Sequence, residues 1–124
     1  MFKAKLYEHY SDDSPYYFID IKIGFKTFYK ALNCDLNKEE KTIHIGGLYI
    51  GGYDNYQYIN KGYGTQVMNK LIQFARENSY KKITGELVND DSDHRDRQMH
   101  FYRKFGFIIS PPDEDNDCLI KLYV

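Results

Sequence analysis

Residues 42–76 read TIHIGGLYIGGYDNYQYINKGYGTQVMNKLIQFAR, and the spacing of the apolar residues changes within them. The first part, residues 42–50, predicts a strand interrupted by Gly46 and Gly47, a pair that suggests a bulge or a close approach to the backbone. Later apolar residues recur at the spacing of one helix face: Val67, Met68, Leu71, Ile72 and Ala75. They predict an amphipathic helix over residues 65–76.

The flanking sequence predicts further strands over residues 2–9, 16–29, 81–88, 107–109 and 118–123. Residues 27–36 either pair with the strand before them or continue it past a bend at Gly24. A second helix is predicted between an N-cap at Ser92 or Asp93 and a stop at Gly106. The strand–helix–strand unit over residues 42–88 should pair its two strands in parallel. The expected class is therefore α+β, with a mixed, mainly antiparallel central sheet around a parallel βαβ core.

The composition favours one globular domain over residues 1–124. The chain is 42% hydrophobic and 28% charged, which fits a folded protein rather than a disordered one. Lys and Arg number 17 and Asp and Glu number 18, so the net charge of −1 argues against a nucleic-acid binder.

The cysteine spacing, the histidine spacing and the lengths of the apolar runs argue against secreted, membrane and metal-binding proteins. Cys34 and Cys118 show no C-x-x-C spacing, which fits free thiols in a reducing cytosol. No apolar run approaches the roughly 20 residues that span a bilayer, and no apolar signal segment begins the chain. No pair of histidines has the spacing of a metal site. We therefore expect a cytoplasmic protein without a membrane segment or a metal.

Residues 60–65, NKGYGT, lie between a predicted strand and a predicted helix. Two glycines separated by one residue allow successive backbone N–H groups to point inward, and the helix N-terminus adds its own N–H groups and dipole. This arrangement suits a phosphate or pyrophosphate. A P-loop is disfavoured because no Lys follows Gly64, and a Rossmann turn because Val67 stands where a third glycine is needed.

Two motifs resemble the GNAT N-acetyltransferases. Residues 43–74 resemble that family's acetyl-CoA-binding strand, loop and helix, with Q/R-x-x-G-x-G/A ending at Gly64. Residues 98–107, QMHFYRKFGF, resemble its late Y-x-x-x-G-F helix. The sequence departs from the pattern at Ile59, where Gln or Arg is usual, and at Arg95, where Asn is common. It also lacks the one or two helices that usually follow the family's first strand and wall the acceptor site.

The resemblance implies a GNAT-like acyl-CoA N-acyltransferase fold with reduced N-terminal helices. It also implies acetyl transfer from acetyl-CoA to a primary amine, by direct attack in a ternary complex. The acceptor would be an amine-bearing small molecule or a peptide. The residues implied to bind acetyl-CoA are Leu48, Tyr49 and Ile50 at the strand end, and Ile59, Asn60, Lys61, Gly62, Tyr63, Gly64 and Thr65 in the glycine loop.

The resemblance also implies roles in the reaction. Tyr102 would donate a proton to the leaving thiolate, since a phenol with an ordinary pKa of about 10 carries its proton near neutral pH. His44 would remove a proton from the amine, because an imidazole titrates near neutrality. Glu86, on the second central strand, is the alternative base.

Other readings stay open. The same fold would also serve as a non-catalytic module that binds CoA or another protein, or as a small α+β scaffold without a CoA site. The acceptor cleft is either open or completed by a second subunit in a homodimer.

Overall fold

The computed structural model describes residues 3–49, 62–88 and 94–124. The elements within them, in chain order, are β1 (Ala4–His9), β2 (Tyr16–Ile23), β3 (Lys26–Asn37), β4 (Thr42–Leu48), α1 (Tyr63–Glu77), β5 (Lys82–Leu87), α2 (His94–Lys104), β6 (Ile108–Ile109) and β7 (Cys118–Tyr123). Neither of these helices has the length and apolar character needed to cross a bilayer.

One mixed sheet holds the seven described strands, in the order β1-β2-β3-β4-β5-β7-β6. β4 and β5 pair in parallel, and the other neighbouring strands are antiparallel. Parallel neighbours need a long crossover, which the chain supplies between β4 and β5 with α1 as its helix. The predicted α+β class and its parallel core are confirmed.

The largest differences from the predicted boundaries concern β2, β3 and β4, and the other described elements differ from the prediction by no more than two residues at an end. Residues 16–29 do not form one strand, because Gly24 turns the chain at a φ of 62° and β3 folds back to pair with β2. Of the two arrangements left open for residues 27–36, the paired one is therefore found. β4 ends at Leu48, two residues before the predicted end. Ile50 and the predicted caps Ser92 and Asp93 lie outside the described residues.

Both described helices pack on one face of the sheet. The ring of Phe74 on α1 stacks on that of Tyr17 on β2, with centroids 4.0 Å apart, and α2 packs on α1 through Phe101 and Gly64. Burial of each large aliphatic side chain in this layer stabilises the fold by about 1.5–3 kcal/mol. The fully buried side chains include Ile19, Ile21, Ile23, Leu32, Ile43, Met68, Leu71, Ile83 and Ile120.

Tyr17 shows how the buried rings keep their hydroxyl groups satisfied. Its phenol donates a hydrogen bond of 2.6 Å to Oε2 of Glu8, whose Oε1 lies 3.6 Å from Nζ of Lys70 on α1. Burial, and then the neighbouring Glu8 carboxylate, raise the pKa of Tyr17 far above its ordinary value. The phenol therefore stays a hydrogen-bond donor and ties β2 to β1.

Candidate active site

The parallel pair β4 and β5 opens into a V. The strands pair at three positions, Thr42 with Lys82, Ile43 with Ile83 and His44 with Thr84, and the described pairing between them ends there. β4 continues to Leu48 along β3, and β5 continues to Leu87 along β7. Beyond these positions the described peptide groups on the facing edges have no partner in a β4–β5 ladder, and groups placed in this way can hydrogen-bond a ligand.

At the end of β4, one backbone amide bonds to β3 and the amide before it points toward the opening of the V. The N–H of Tyr49 donates to the carbonyl of Ala31 on β3 at 2.6 Å, so it is not available to a ligand. Successive amides of a strand point to opposite sides, so the N–H of Leu48 points toward the opening. Of the two described strand-end residues predicted to bind the cosubstrate, Leu48 is therefore the one that offers its backbone donor.

Gly46 and Gly47 lie at a bulge near the end of β4, where a larger residue would overlap neighbouring side chains. Cys34 pairs with Ile45 while Asn33 pairs with Gly47, so Gly46 is an extra residue and the predicted bulge is confirmed. A Cβ at Gly46 would overlap the side chain of Asn33. One at Gly47 would overlap the ring of Tyr49, which folds back over the strand.

The last paired position of the V carries a side-chain hydrogen bond. Nδ1 of His44 lies 2.9 Å from Oγ1 of Thr84, on the face of the sheet opposite the helices. His44 is half-buried, which keeps its ring within reach of solvent. Glu86 lies two residues beyond Thr84 on the same face and is exposed. Both predicted base residues thus flank the point where the strands separate.

Tyr102 lies on the helix-covered side of the same region. It is 8% exposed, and its ring makes edge contacts with those of Phe101 and Phe107, each with centroids 5.2 Å apart. Burial, with smaller contributions from Cys34 and Tyr49, raises the pKa of Tyr102 to about 12. Its hydroxyl therefore stays protonated near neutral pH, as a proton donor must.

The N-terminus of α1 faces a position suited to an anion. Gly62 is the N-cap at a φ of 84°, which favours glycine, and no side chain of the described residues caps the helix. The first helical hydrogen bond joins the N–H of Gln66 to the carbonyl of Gly62, so the amides of Gly64 and Thr65 precede the helical ladder. The first turn contains no acidic residue to repel an anion.

Lys104 adds a positive charge that the sequence analysis did not foresee. Its Nζ lies 2.8 Å from Oγ1 of Thr65 and 5.3 Å from the ring centroid of Phe101, so the ammonium group sits at the N-terminus of α1. The residues are 39 apart in the chain.

Arg95 is a structural residue in this site. Its guanidinium donates to the carbonyls of Leu87 at 3.2 Å and Asn116 at 2.7 Å, and Nη1 lies 3.4 Å from Sγ of Cys118. The side chain joins the start of α2 to the end of β5, which is one edge of the V. This explains how a basic residue is accommodated where Asn is common in the family that the sequence resembles.

Four residues predicted to bind the cosubstrate lie outside the described residues: Ile50, Ile59, Asn60 and Lys61. Within the described ranges, the carboxylates able to meet at a metal ion are those of Asp113, Asp115 and Asp117, all within 4.8 Å of one another between β6 and β7. Oδ1 of Asp113 accepts the amides of the other two, so this carboxylate closes the turn.

Comparison with known proteins gives the same fold. The model of the acetyltransferase (GNAT) family matches residues 2–107. The uncharacterized protein YocC of Bacillus subtilis is 34% identical over 99 residues, which cover 77% of this chain and 56% of YocC. The chain thus spans about half the length of the curated relative it matches.

Solved structures agree. A GNAT family acetyltransferase from Elizabethkingia anophelis with acetyl-CoA bound has a TM-score of 0.69 at 14% identity, with 98% of each chain covered. The IAA acetyltransferase from Bacillus cereus has a TM-score of 0.72 at 13% identity, covering 98% of this chain and 100% of that one. The Escherichia coli ribosomal-protein-S18-alanine N-acetyltransferase reaches 0.66 at 12% identity, covering 91% and 72%. The predicted fold is confirmed.

Proposed function

Because the chain belongs to the acetyltransferase (GNAT) family, whose cosubstrate is acetyl-CoA, we propose that it transfers acetyl from acetyl-CoA to a primary amine by direct attack in a ternary complex. The observation that carries the proposal is the V between β4 and β5, with the glycine-capped N-terminus of α1 and the buried phenol of Tyr102 beside it.

The described residues fit the diphosphate of the cosubstrate. The amides of Gly64 and Thr65, the positive end of the α1 dipole and the ammonium group of Lys104 all attract an anion. We infer that Gly62 and Tyr63, with Ile59, Asn60 and Lys61, complete this loop. The N–H of Leu48 is the donor assigned to the ligand's amide or acetyl carbonyl along β4, together with Tyr49 and Ile50 as neighbouring contacts.

In the proposed reaction, His44 takes a proton from the acceptor ammonium, directly or through a water, and Glu86 is the alternative base. The neutral amine then forms the C–N bond as the C–S bond breaks. Tyr102 donates its proton to the departing thiolate, and because this thiolate is a weaker base than the phenolate formed, a second proton must replace the one that Tyr102 gives up. The attacking nitrogen loses its second proton as the amide forms, and this proton restores the Tyr102 phenol through solvent, while His44 releases the first proton to solvent.

Titration and turnover test the proposal together. We expect calorimetry to detect acetyl-CoA binding, and a thiol assay on a panel of small amines and peptides to detect CoA release that requires both substrates. Lys104→Ala should weaken acetyl-CoA binding about tenfold. Lys81→Ala is the matched control, since Lys81 is exposed and precedes β5 at the end away from the V.

The outcomes separate the readings. Binding of acetyl-CoA with no acetyl transfer to any amine would contradict the enzyme and favour a binding module. An absence of binding at saturating acetyl-CoA would contradict both.

A further inference from the structure

The sheet face opposite the helices carries a row of directly paired residues. From β2 to β6 the row runs through Tyr16, Asp35, His44, Thr84, Lys121 and Ile108. Paired residues share a face, and the His44–Thr84 hydrogen bond shows that their side chains meet on it. Tyr17, the neighbour of Tyr16, stacks on α1, which places the row on the face away from the described helices.

This open face exposes large apolar side chains. Tyr16 is 57% exposed, Ile108 62%, Leu119 60% and Tyr123 62%. Single exposed apolar residues are ordinary, whereas several on one face indicate an interaction surface. Asp35 is also exposed and forms no ion pair within the described residues.

The order of the row makes it self-complementary. Consider a twofold axis that runs parallel to the strands, between two sheets packed face to face, above the gap between β4 and β5. This axis places each half of the row opposite the other half of the same row in a second copy. Asp35 lies on β3, next to β4, and Lys121 lies on β7, next to β5. Asp35 of each copy therefore faces Lys121 of the other copy across the axis. Tyr16 and Ile108 lie one strand further out and face each other in the same way.

We propose that two copies of this chain pack their open faces together about this axis. The symmetry sets two Asp35–Lys121 ion pairs and two Tyr16–Ile108 contacts in one isologous interface. Packed sheets lie about 10 Å apart and cross at about 30°, which leaves the row aligned near the axis. At that spacing, carboxylate and ammonium side chains reach each other.

The area of the face suits a dimer. Six strands spaced by about 4.8 Å and at least about 20 Å long, with the two-residue β6 beside them, give a face on the order of 600 Å² in projection, close to the roughly 800 Å² that each partner contributes to a stable interface. The dimer covers the His44–Thr84 position on the open face, whereas Leu48 and Leu87 mark the wide end of the V. An acceptor would then enter from the strand ends.

The dimer is tested by exchanging the charges of Asp35 and Lys121 and measuring the mass of the protein in solution. We expect the wild-type chain to be a dimer by light scattering, and Asp35→Lys to weaken it at least about tenfold by placing like charges together. Lys121→Asp should weaken it similarly, and the double variant Asp35→Lys with Lys121→Asp should restore it. Glu39→Lys, an exposed change in the turn between β3 and β4, is the control.

A wild-type monomer at about 100 μM protein would overturn the proposal, since a stable specific dimer binds far more tightly. So would a dimer that neither single exchange weakens, or one that the double exchange fails to restore. The assay needs no acetyl-CoA, so a failed dimer leaves the proposed reaction untouched, and a failed reaction leaves the dimer testable.

Discussion

Nδ1 of His44 and Oγ1 of Thr84 lie 2.9 Å apart, across the last position at which β4 and β5 pair. One hydrogen bond thus fixes an imidazole ring at the point where the two central strands separate. When Thr84 accepts from Nδ1, the lone pair of Nε2 faces outward and can take a proton. Thr84 is then a positioning residue for the proposed base.

The Thr84 hydroxyl can be removed almost without changing the volume of the side chain. We expect Thr84→Val to lower kcat by about tenfold while the thermal midpoint stays near that of the wild type, because the loss is one of orientation. Thr84→Ser keeps the hydroxyl and should retain most of the activity. Equal kcat values for the Val variant and the wild type would show that His44 needs no such support.

Tyr102→Phe removes the proposed proton donor but keeps the ring that packs on Phe101 and Phe107. We expect kcat to fall about 100-fold, the lower end of the range for general acid catalysis. The KM for acetyl-CoA should change little. Steady-state kinetics with saturating amine measures both. Tyr29→Phe, at an exposed position on β3, is the control, and an unchanged kcat in Tyr102→Phe would exclude the role.

The free energy of unfolding at alkaline pH should depend on the ionisation of the Tyr102 phenol. The pKa of Tyr102 is raised to about 12 by burial, whereas a tyrosine in the unfolded chain titrates near 10. The contribution of Tyr102 to the free energy of unfolding is therefore fully present below about pH 10 and is lost as the pH rises toward 12. Burial shifts the pKa values of Tyr17 and Cys34 upward as well, so they act in the same direction.

Urea unfolding between pH 8 and 12 measures this loss, over the range in which phenols titrate. In Tyr102→Phe the free energy of unfolding should fall less steeply above about pH 10 than in the wild type. Identical slopes in the two proteins would show that the folded state does not raise the pKa of Tyr102.

Gly64 is constrained by the neighbouring helix as well as by the proposed ligand. A Cβ at this position would lie 3.2 Å from Cε1 of Phe101, so Gly64→Ala should destabilise the protein by about 1 kcal/mol, the lower end for overpacking. Combined with Phe101→Leu, the same change should cost nothing or should stabilise, since Ala is the better helix former. A double-mutant cycle by urea unfolding measures the coupling, and additive effects would contradict the contact.

Arg95 should matter for stability rather than for chemistry. Arg95→Lys retains the charge but loses the planar guanidinium group, whose Nη2 donates to the carbonyls of both Leu87 and Asn116. We expect a loss of about 1.5–3 kcal/mol in the free energy of unfolding. Arg103→Ala, at an exposed position on the same helix, should stay within about 0.5 kcal/mol of the wild type.

Local sequence patterns anticipated much of this fold because they act over a few residues. The alternation in β2, the helical spacing in α1 and the glycine pair in β4 predicted a strand, a helix and a bulge that are found in the structure. The sequence left open whether residues 27–36 pair with β2 or continue it. The positive φ of Gly24, which turns the chain back, decides for pairing.

The contacts between distant residues could not be predicted in the same way. Lys104 reaches Thr65 over 39 positions, and Tyr49 gives its amide to Ala31, because the helix packing and the β3–β4 register put those atoms together. Neither is encoded in a repeat or a motif.

By itself the sequence determined which segments are strands and helices, which of their faces are apolar, and that a glycine loop precedes α1. Only the tertiary structure decided which amide of the β4 end faces the V, which cation stands beside the loop, and which row of residues crosses the open face. The physical reason is that periodicity fixes the direction of a side chain from its own backbone, whereas its neighbour across the sheet depends on register and helix packing.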